Sequence, residues 1–221
     1  MKTPKKEIES SKKVLVWGAG GHAKVVVDLL RTNGFDVAGF IDDQNPTREG
    51  ELYCGARISV DVDCSDPSRS RNVVIAIGDN SAREQKALLA KSKGFKLISA
   101  IHPRATIARD VEIGAGVVVM AGAVINSGAV VGDGAIINTC AIVEHDCVIG
   151  DWVHISPGAR IAGGVRIGKL AWIGIGATII ERINVGEKAT AGAGAVLIRD
   201  VPPGMTVAGV PATELRLRRS L

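Results

Sequence analysis

The chain has 221 residues, enough for one large domain or two small ones with a real hydrophobic core. It contains 27 glycines, where an average content of about 7% would give roughly half as many. Aromatic residues make up only 3%, so Ile, Val and Ala must fill the interior, and a charged fraction of 23% argues against disorder. The net charge of +4 is modest and no basic stripe runs through the interior, so we expect no nucleic-acid partner.

The first thirteen residues are charged and polar, without the apolar core of a secretory signal. Cys54, Cys64, Cys140 and Cys147 lack a CxxC spacing, so we interpret them as free thiols of a cytoplasmic protein. The uncharged stretch 113–132 is long enough for a membrane span, but its regularly recurring glycines fit a repeat better. We therefore expect no membrane insertion.

Strands alternate with helices in the first hundred residues, which predicts a small parallel α/β domain. The segment 48–71 is rich in Gly, Pro, Ser and Asp and is predicted to be mostly loop, with one short strand. The predicted elements are strands at Val14–Trp17, Val37–Ile41, Ala56–Ser59, Val73–Ile77 and Leu97–Ala100, and helices at Ala23–Asn33 and from Asn80 to about Lys93.

A glycine turn follows the first predicted strand. Gly18, Gly20 and Ala23 match the GxGxxA dinucleotide fingerprint, and the acidic pair Asp42 and Asp43 follows about twenty residues later. The domain has room for one mononucleotide half only, so a nicotinamide site is not expected.

A glycine turn that opens a helix attracts anions through its backbone N–H groups. We therefore expect a nucleotide-sugar pyrophosphate at Gly20, Gly21 and His22, with Asp42 or Asp43 near the ribose or base. The alternative is a purely structural turn between strand and helix, with both aspartates on the surface.

From Ile101 onward every sixth residue is Ile, Val or Leu, with one Ala among seventeen positions, and the fourth residue after each is usually small. A period of six fits neither a helix nor a hairpin sheet, but it fits a stacked solenoid of short strands. The pattern resembles the hexapeptide-repeat family with the left-handed parallel β-helix fold. That resemblance implies between five and six coils, a homotrimer, and acyl transfer from acetyl-CoA or a related donor. We predict a Rossmann-like domain over 12–100 and a β-helix over 101–212, with a tail to 221.

The combination of the two domains narrows the resemblance to one group within the hexapeptide-repeat family. The chain resembles the PglD/NeuD-type bacterial sugar acetyltransferases at four places. These are GAGGHAKVV at the first turn, FIDD after the second strand, IGDN after the third, and NTCAIVEHDCVIGDWVHISPGARIAGGVRIG in the repeat. Members of that group acetylate the amino group of nucleotide-linked 4-amino sugars or, in the sialic-acid branch, a hydroxyl. The resemblance thus implies a cytoplasmic, acetyl-CoA-dependent N-acetyltransferase. Its acceptor would be the 4-amino group of a nucleotide-linked dideoxyamino sugar.

The resemblance also assigns residues. The catalytic base falls on His145 and its acidic neighbour on Asp146. The expected substrate-binding residues are Gly18, Gly20, Gly21, His22, Lys24, Asp42, Asp43, Asn138 and Glu144. The expected acetyl-CoA-binding residues are His154, Gly163, Ile175, Gly192 and Ala193. No metal is implied.

The position of His145 in the repeat agrees with that assignment. It lies two residues after the interior Val143, so it faces outward near a corner, and Gly163 one coil later leaves space above the imidazole for a ligand. An imidazole with a pKa near ~6.5 is suited to take the proton from an attacking amine. Asp146 would orient the ring and the Gly163 N–H would stabilise the oxyanion.

Some alternatives stay open. Asp146 can equally occupy a turn position because Asp tolerates left-handed geometry, and the adjacent Glu144 can be the acid instead. We expect the amine to attack the thioester directly, without an acyl-enzyme intermediate. Neither nearby cysteine is expected to act as a nucleophile, because Cys147 lies at an interior position and Cys140 at a turn.

Other functions compete with the N-acetyltransferase. A zinc hydrase would need His102, His145 and His154 to converge, although His102 lies more than two coils away. Sialic acid O-acetylation and a non-catalytic nucleotide-binding scaffold are the remaining alternatives. The sequence does not choose between UDP, GDP and dTDP, nor does it define the stereochemistry of the sugar.

Overall fold

The computed structural model describes residues 12–61 and 70–215. The N-terminal part is a six-stranded sheet of order β3-β4-β2-β1-β5-β6, parallel except for the β3–β4 pair. Its strands are β1 (Lys12–Trp17), β2 (Phe35–Ile41), β3 (Leu52–Tyr53), β4 (Ala56–Ser59), β5 (Asn72–Ile75) and β6 (Lys96–Leu97). The helices are α1 (Gly21–Thr32) and α2 (Asn80–Ser92), with a short 3-10 helix at Pro46–Arg48. This is the predicted small α/β unit.

The predicted strand Leu97–Ala100 is wrong as a single element. The Ile98 N–H bonds to Val73 O in the N-terminal sheet, whereas the Ala100 N–H already bonds to Val117 O in the solenoid. The chain therefore leaves one sheet and enters the next within three residues. The segment 48–71, predicted as mostly loop, holds β3 besides the expected β4, and the 3-10 helix ends at its first residue, Arg48.

The rest of the chain is the left-handed parallel β-helix that the six-residue period predicts. Three strands form each coil, and strands eighteen residues apart pair in parallel, as His154 pairs with Trp172. Face 1 comprises β7 (Ala100–Ile101), β10 (Val118–Val119), β13 (Ile136–Ile137), β16 (His154–Ile155), β19 (Trp172–Ile173), β22 (Thr190–Ala191), β24 (Thr206–Gly209) and the antiparallel β25 (Ala212–Glu214). Face 2 comprises β8 (Thr106–Ile107), β11 (Val124–Ile125), β14 (Ile142–Val143), β17 (Arg160–Ile161), β20 (Thr178–Ile179) and β23 (Val196–Leu197). Face 3 comprises β9 (Glu112–Ile113), β12 (Val130–Val131), β15 (Val148–Ile149), β18 (Arg166–Ile167) and β21 (Asn184–Val185).

The predicted aliphatic column forms the interior of the β-helix. From Val119 to Leu197 its members are at most 2% exposed, while Ile101, Ile107 and Ile113 are only half-buried at the open end. Small residues such as Ala123 and Cys147 fill the corners at 0% exposure. Burying a continuous aliphatic column of this kind is the main stabilising force of a solenoid.

The two parts pack through face 1. Outward side chains of the first coils, Val118 and Ile136, are buried against Val26, Val27 and Leu30 of α1. The packing brings the turn between β1 and α1 beside the middle of face 1.

Hydrogen bonds across the same junction involve the start of α2. The Arg83 guanidinium, 1% exposed, donates to Gly134 O and Trp152 O at 2.8 Å, and Asn80 Nδ2 donates to Leu170 O at 3.0 Å. Burial lowers the pKa of Arg83 to about 10, which still leaves it charged at neutral pH. A buried cation whose donors bind carbonyl oxygens fixes α2 firmly against the coils.

No helix among the described residues is long and apolar enough to cross a membrane. The stretch 113–132 forms strands and turns of the β-helix. Cys54, Cys140 and Cys147 are free thiols, and Cys64 lies outside the described residues.

Candidate active site

The glycine turn between β1 and α1 has one structural glycine and two that pack against nothing. Gly18 has φ +107°, and a Cβ there would lie 2.9 Å from Ala76 O, so the fold itself requires it. At Gly20 and Gly21 an added Cβ would meet no atom within 4 Å. Their missing side chains therefore leave open space at the N-terminus of α1, where unpaired N–H groups favour an anion.

That open space belongs to a cavity of about 480 Å3, here called the glycine-turn cavity, which is lined by Gly18, Gly20, Gly21, His22, Asp42 and Asp43 among others. The structure thus brings together most of the predicted nucleotide-binding residues. The volume lies in the range usual for small-molecule sites. Lys24 is the exception, because it is exposed on α1 and does not line the cavity.

Two cations in the glycine-turn cavity were missed by the sequence analysis. Arg48 Nη1 lies 3.0 Å from Asp42 Oδ2, and Lys86 Nζ lies 2.6 Å from Asp43 Oδ2. Burial alone would raise the pKa of Asp43, but hydrogen bonds from Lys86 and Trp17 outweigh it and hold the pKa below its usual value. Arg48 sits in the segment predicted as loop and Lys86 on α2, so no motif in the sequence indicates that they meet.

His22 and His154 lie on opposite sides of the junction with ring centroids 6.4 Å apart. The His22 Nε2 atom is buried without a hydrogen-bond partner in the described part of the chain. Burial, reinforced by the charge of Arg83, lowers the pKa of each imidazole to about 4. Both rings are therefore neutral at physiological pH, and each can offer one donor and one acceptor.

His154 projects from face 1 and contacts a second predicted residue. Asn138 Nδ2 lies 3.0 Å from His154 Nε2; since an amide nitrogen only donates, Nε2 must accept. The His154 ring also lies nearly parallel to the Trp172 indole. The structure thus places Asn138, expected to bind substrate, beside His154, expected to bind acetyl-CoA, about one coil apart.

His145 lies at the corner between faces 2 and 3, between β14 and β15, and its side chain is 64% exposed. Its Nδ1 lies 2.8 Å from Asp146 Oδ2. Glu144, the alternative acid, accepts a hydrogen bond from Asn126 Nδ2 at 2.8 Å instead. Asp146 also has φ +59°, so it fills the left-handed turn position as well as contacting the imidazole.

Gly163 lies directly against His145. A Cβ at Gly163 would come within 2.6 Å of both Cε1 and Nε2 of the imidazole. The space that the glycine provides is therefore occupied by the His145 ring itself, which corrects the expectation that it leaves room for a ligand above the ring. The Gly163 N–H makes no hydrogen bond within the described residues.

The structure does not gather all predicted residues at one place in a single chain. His145 and Gly163 lie at the corner opposite face 1, whereas His154 and Asn138 lie on face 1. The other residues predicted to bind acetyl-CoA lie on face 1 or at the corner between faces 1 and 2: Ile175, Gly192 and Ala193. His102, His145 and His154 do not converge, and the described residues contain no group of three or more His, Cys, Asp or Glu side chains suited to a metal.

Comparisons with known proteins agree with this architecture. Residues 13–88 match the family described as PglD N-terminal domain, and residues 128–163 match the bacterial transferase hexapeptide (six repeats). The acetyltransferase domain of PglB from Neisseria gonorrhoeae is 42% identical, with 93% of this chain and 100% of that chain covered and a TM-score of 0.85. PerB from Caulobacter crescentus, solved in complex with CoA and GDP-perosamine, is 39% identical over 92% of this chain and 97% of that chain, with a TM-score of 0.87.

A curated relative, the UDP-N-acetylbacillosamine N-acetyltransferase of Bacillus subtilis, is 38% identical over 118 residues, 49% of this chain. The matched region spans about half of that protein, 51%. The fold, the six-residue repeat and the similarity to these proteins together identify the chain as a hexapeptide-repeat acyltransferase. More particularly, the chain belongs to the PglD-type family of nucleotide-amino-sugar N-acetyltransferases.

Proposed function

We propose that this protein transfers the acetyl group of acetyl-CoA to the 4-amino group of a nucleotide-linked dideoxyamino sugar. The observation that carries the proposal is the exposed His145–Asp146 pair, held against a glycine at a corner of the β-helix. One relative supports it, because the Caulobacter crescentus enzyme PerB was solved with CoA and GDP-perosamine both as PerB and as a mutant in which a histidine is replaced by alanine.

In the proposed reaction His145 acts as general base. A carboxylate only accepts hydrogen bonds, so Asp146 fixes the proton on Nδ1 and leaves Nε2 free to accept one. The amine nitrogen loses a proton to Nε2 as it attacks the thioester carbonyl, and the N–C bond forms. The C–S bond then breaks, and the imidazolium returns its proton to the CoA thiolate, giving the amide and free CoA thiol.

The Gly163 N–H is the proposed oxyanion donor. It has no acceptor within the described residues, and the residue itself lies against the Nε2 edge of His145, where the tetrahedral intermediate would form. A backbone N–H already in place needs no reorganisation as charge develops on the carbonyl oxygen.

The acceptor nucleotide would bind in the glycine-turn cavity. The pyrophosphate would lie at Gly20, Gly21 and His22, at the positive end of α1. Arg48 and Lys86 add two positive charges to the walls, and Asp42 and Asp43 remain the candidates for the ribose or base.

A homotrimer would complete the site. In one chain the base lies at the corner between faces 2 and 3, while the glycine-turn cavity, His154 and Asn138 lie beside face 1. A second copy packed around a threefold axis can place its His145 against face 1 of the first. The exposed side chain of Ile175, with Ala193 one coil further, would then form an apolar wall for the pantetheine arm of acetyl-CoA.

The experiment is thiol release from acetyl-CoA, followed with a chromogenic disulfide and by the mass of the product. The acceptor panel comprises UDP-, GDP- and dTDP-linked 4-amino-4,6-dideoxysugars and free sialic acid, tested on the wild type and on His145→Ala. We expect acetylation of a nucleotide sugar that is lost in the variant. Turnover of sialic acid alone would establish the O-acetyltransferase instead, and failure to bind acetyl-CoA would favour a scaffold.

A further inference from the structure

One tryptophan on face 1 is exposed although its orientation is fixed. The chain has three tryptophans, of which Trp17 is 0% and Trp152 6% exposed, whereas Trp172 is 50% exposed. The Trp172 Nε1–H donates to Ser156 Oγ at 2.8 Å, and the indole lies parallel to the His154 ring to within 17°. A large aromatic face that is held rigid yet left exposed by its own chain is typical of a binding surface.

The exposed indole forms a wall of a second cavity of about 550 Å3, here called the Trp172 cavity. Leu170 and the His154 ring add further apolar surface, while Ser81, Lys188 and Thr190 supply polar groups. Flat apolar surface with polar groups around it suits a ligand with an apolar face and a polar periphery.

The Trp172 cavity adjoins the glycine-turn cavity. Gly78 lines both, and His22 of the first lies 6.4 Å, centroid to centroid, from His154 of the second. A group attached to the pyrophosphate at the N-terminus of α1 would therefore extend past these two histidines onto the indole. A pyranose ring has this chemistry, because its C–H groups form an apolar face and its substituents point outward.

We propose that Trp172 is the stacking platform for the sugar ring of the nucleotide-linked acceptor and so determines acceptor specificity. This inference rests on the proposed N-acetyltransferase function. The pantetheine arm of acetyl-CoA fits the same surface less well, because it is a flexible chain and the exposed Ile175 lies at the neighbouring corner, outside the Trp172 cavity. His154, which lines this cavity, therefore moves from the expected donor site to the acceptor site. The platform lies on face 1, where the His145 of a second copy would meet the amine.

The first test compares kinetic constants of Trp172→Ala, Trp172→Phe and a control, Leu88→Ala, which removes an exposed side chain of α2 outside both cavities. With the acceptor that the wild type acetylates, Trp172→Ala should raise the KM for the nucleotide sugar about tenfold. The KM for acetyl-CoA and the Kd of the free nucleotide should stay within twofold, and Trp172→Phe should recover most of the affinity. A rise in the KM for acetyl-CoA alone, or no change in either constant, would overturn the platform while leaving the acetyltransferase intact.

The second test uses the fluorescence of Trp172, since the other two tryptophans are buried. Saturating GDP-perosamine or UDP-linked 4-amino sugar should protect the emission from acrylamide quenching, whereas GDP or UDP should not. Trp172→Phe should abolish this difference, which separates it from any effect on Trp17 in the glycine-turn cavity. Protection by acetyl-CoA alone would assign the surface to the donor. A wild type that binds these nucleotide sugars without protection contradicts the platform, and one that binds and acetylates none of them refutes the proposed function as well.

Discussion

Substitution of Gly163 by Ala separates two roles for this glycine, support of His145 and direct contact with acetyl-CoA. The backbone at Gly163 is not in the left-handed region, so Ala can adopt it without strain. Its Cβ would lie 2.6 Å from Cε1 and Nε2 of His145, whereas ordinary contacts begin at 3.4 Å. Because the His145 side chain is 64% exposed, it can swing aside without disturbing the core.

The size of the effect follows from that displacement. The imidazole must move by roughly 1 Å, and a misplacement of about 1 Å in a reacting group can cost about 100-fold in rate. We therefore expect kcat of Gly163→Ala to fall about 100-fold. The free energy of unfolding should change by less than about 0.5 kcal/mol, as for a surface substitution.

The assay is steady-state thiol release with chemical denaturation alongside. Gly164→Ala is the matched control, because φ +68° makes Ala costly there by about 1–2 kcal/mol while its Cβ would touch only the flexible Arg182 side chain at 3.5 Å. Gly163→Ala should lose activity and keep stability, and Gly164→Ala should do the reverse. Added to His145→Ala, the Gly163 change should cost nothing further. An increase in the KM for acetyl-CoA with kcat retained would refute the reasoning and return Gly163 to the donor site.

Three other predictions concern the acid, a buried histidine and the junction. Asp146→Asn should lower kcat at least about tenfold and more than Glu144→Gln does, because of these two acids Asp146 contacts the imidazole and Glu144 does not. Steady-state rates of the two variants test this assignment, and equal losses of kcat would contradict it. Because burial lowers the folded-state pKa of His154 from 6.5 to about 4, the free energy of unfolding should be independent of this group above pH 6.5 and fall by about 3 kcal/mol as the pH drops towards 4. Denaturation of His154→Gln over that pH range should lack this loss, and parallel curves for the two proteins would contradict the shift. Arg83→Met should lower the free energy of unfolding by more than about 3 kcal/mol, because the substitution leaves buried carbonyl oxygens without donors. A melting temperature within 2 °C of the wild type would show that the junction does not depend on Arg83.

The β-helix could be predicted almost residue by residue because a six-residue period leaves one arrangement of strands and corners. The interior positions from Val119 onward are buried as the period requires. The boundary at Leu97–Ala100 could not be predicted, since four apolar or small residues read as one strand whichever sheet accepts their hydrogen bonds.

In the candidate site, too, some contacts could be predicted from the sequence and others could not. Residues eighteen positions apart, such as His145 and Gly163, are neighbours on successive coils, so their contact follows from the repeat length. Contacts across the junction do not, because they depend on how α1 and α2 dock on face 1. Arg48, Arg83 and Lys86 carry no motif, and their partners lie on other elements. Lys24 follows GGH in the sequence, yet the turn of α1 directs it to solvent.

The central claim is that acceptor bound by one copy is acetylated through His145 of another. It is tested by mixing two inactive variants, His145→Ala and Gly21→Phe, the second of which fills the open side of the glycine-turn cavity without meeting packed atoms at its Cβ. In randomly mixed trimers about one quarter of the interfaces would pair an intact His145 with an intact cavity. The account predicts recovery of about one quarter of wild-type thiol release after exchange of subunits. Absence of recovery, in mixtures whose mixed trimers are verified by native mass spectrometry, would contradict it.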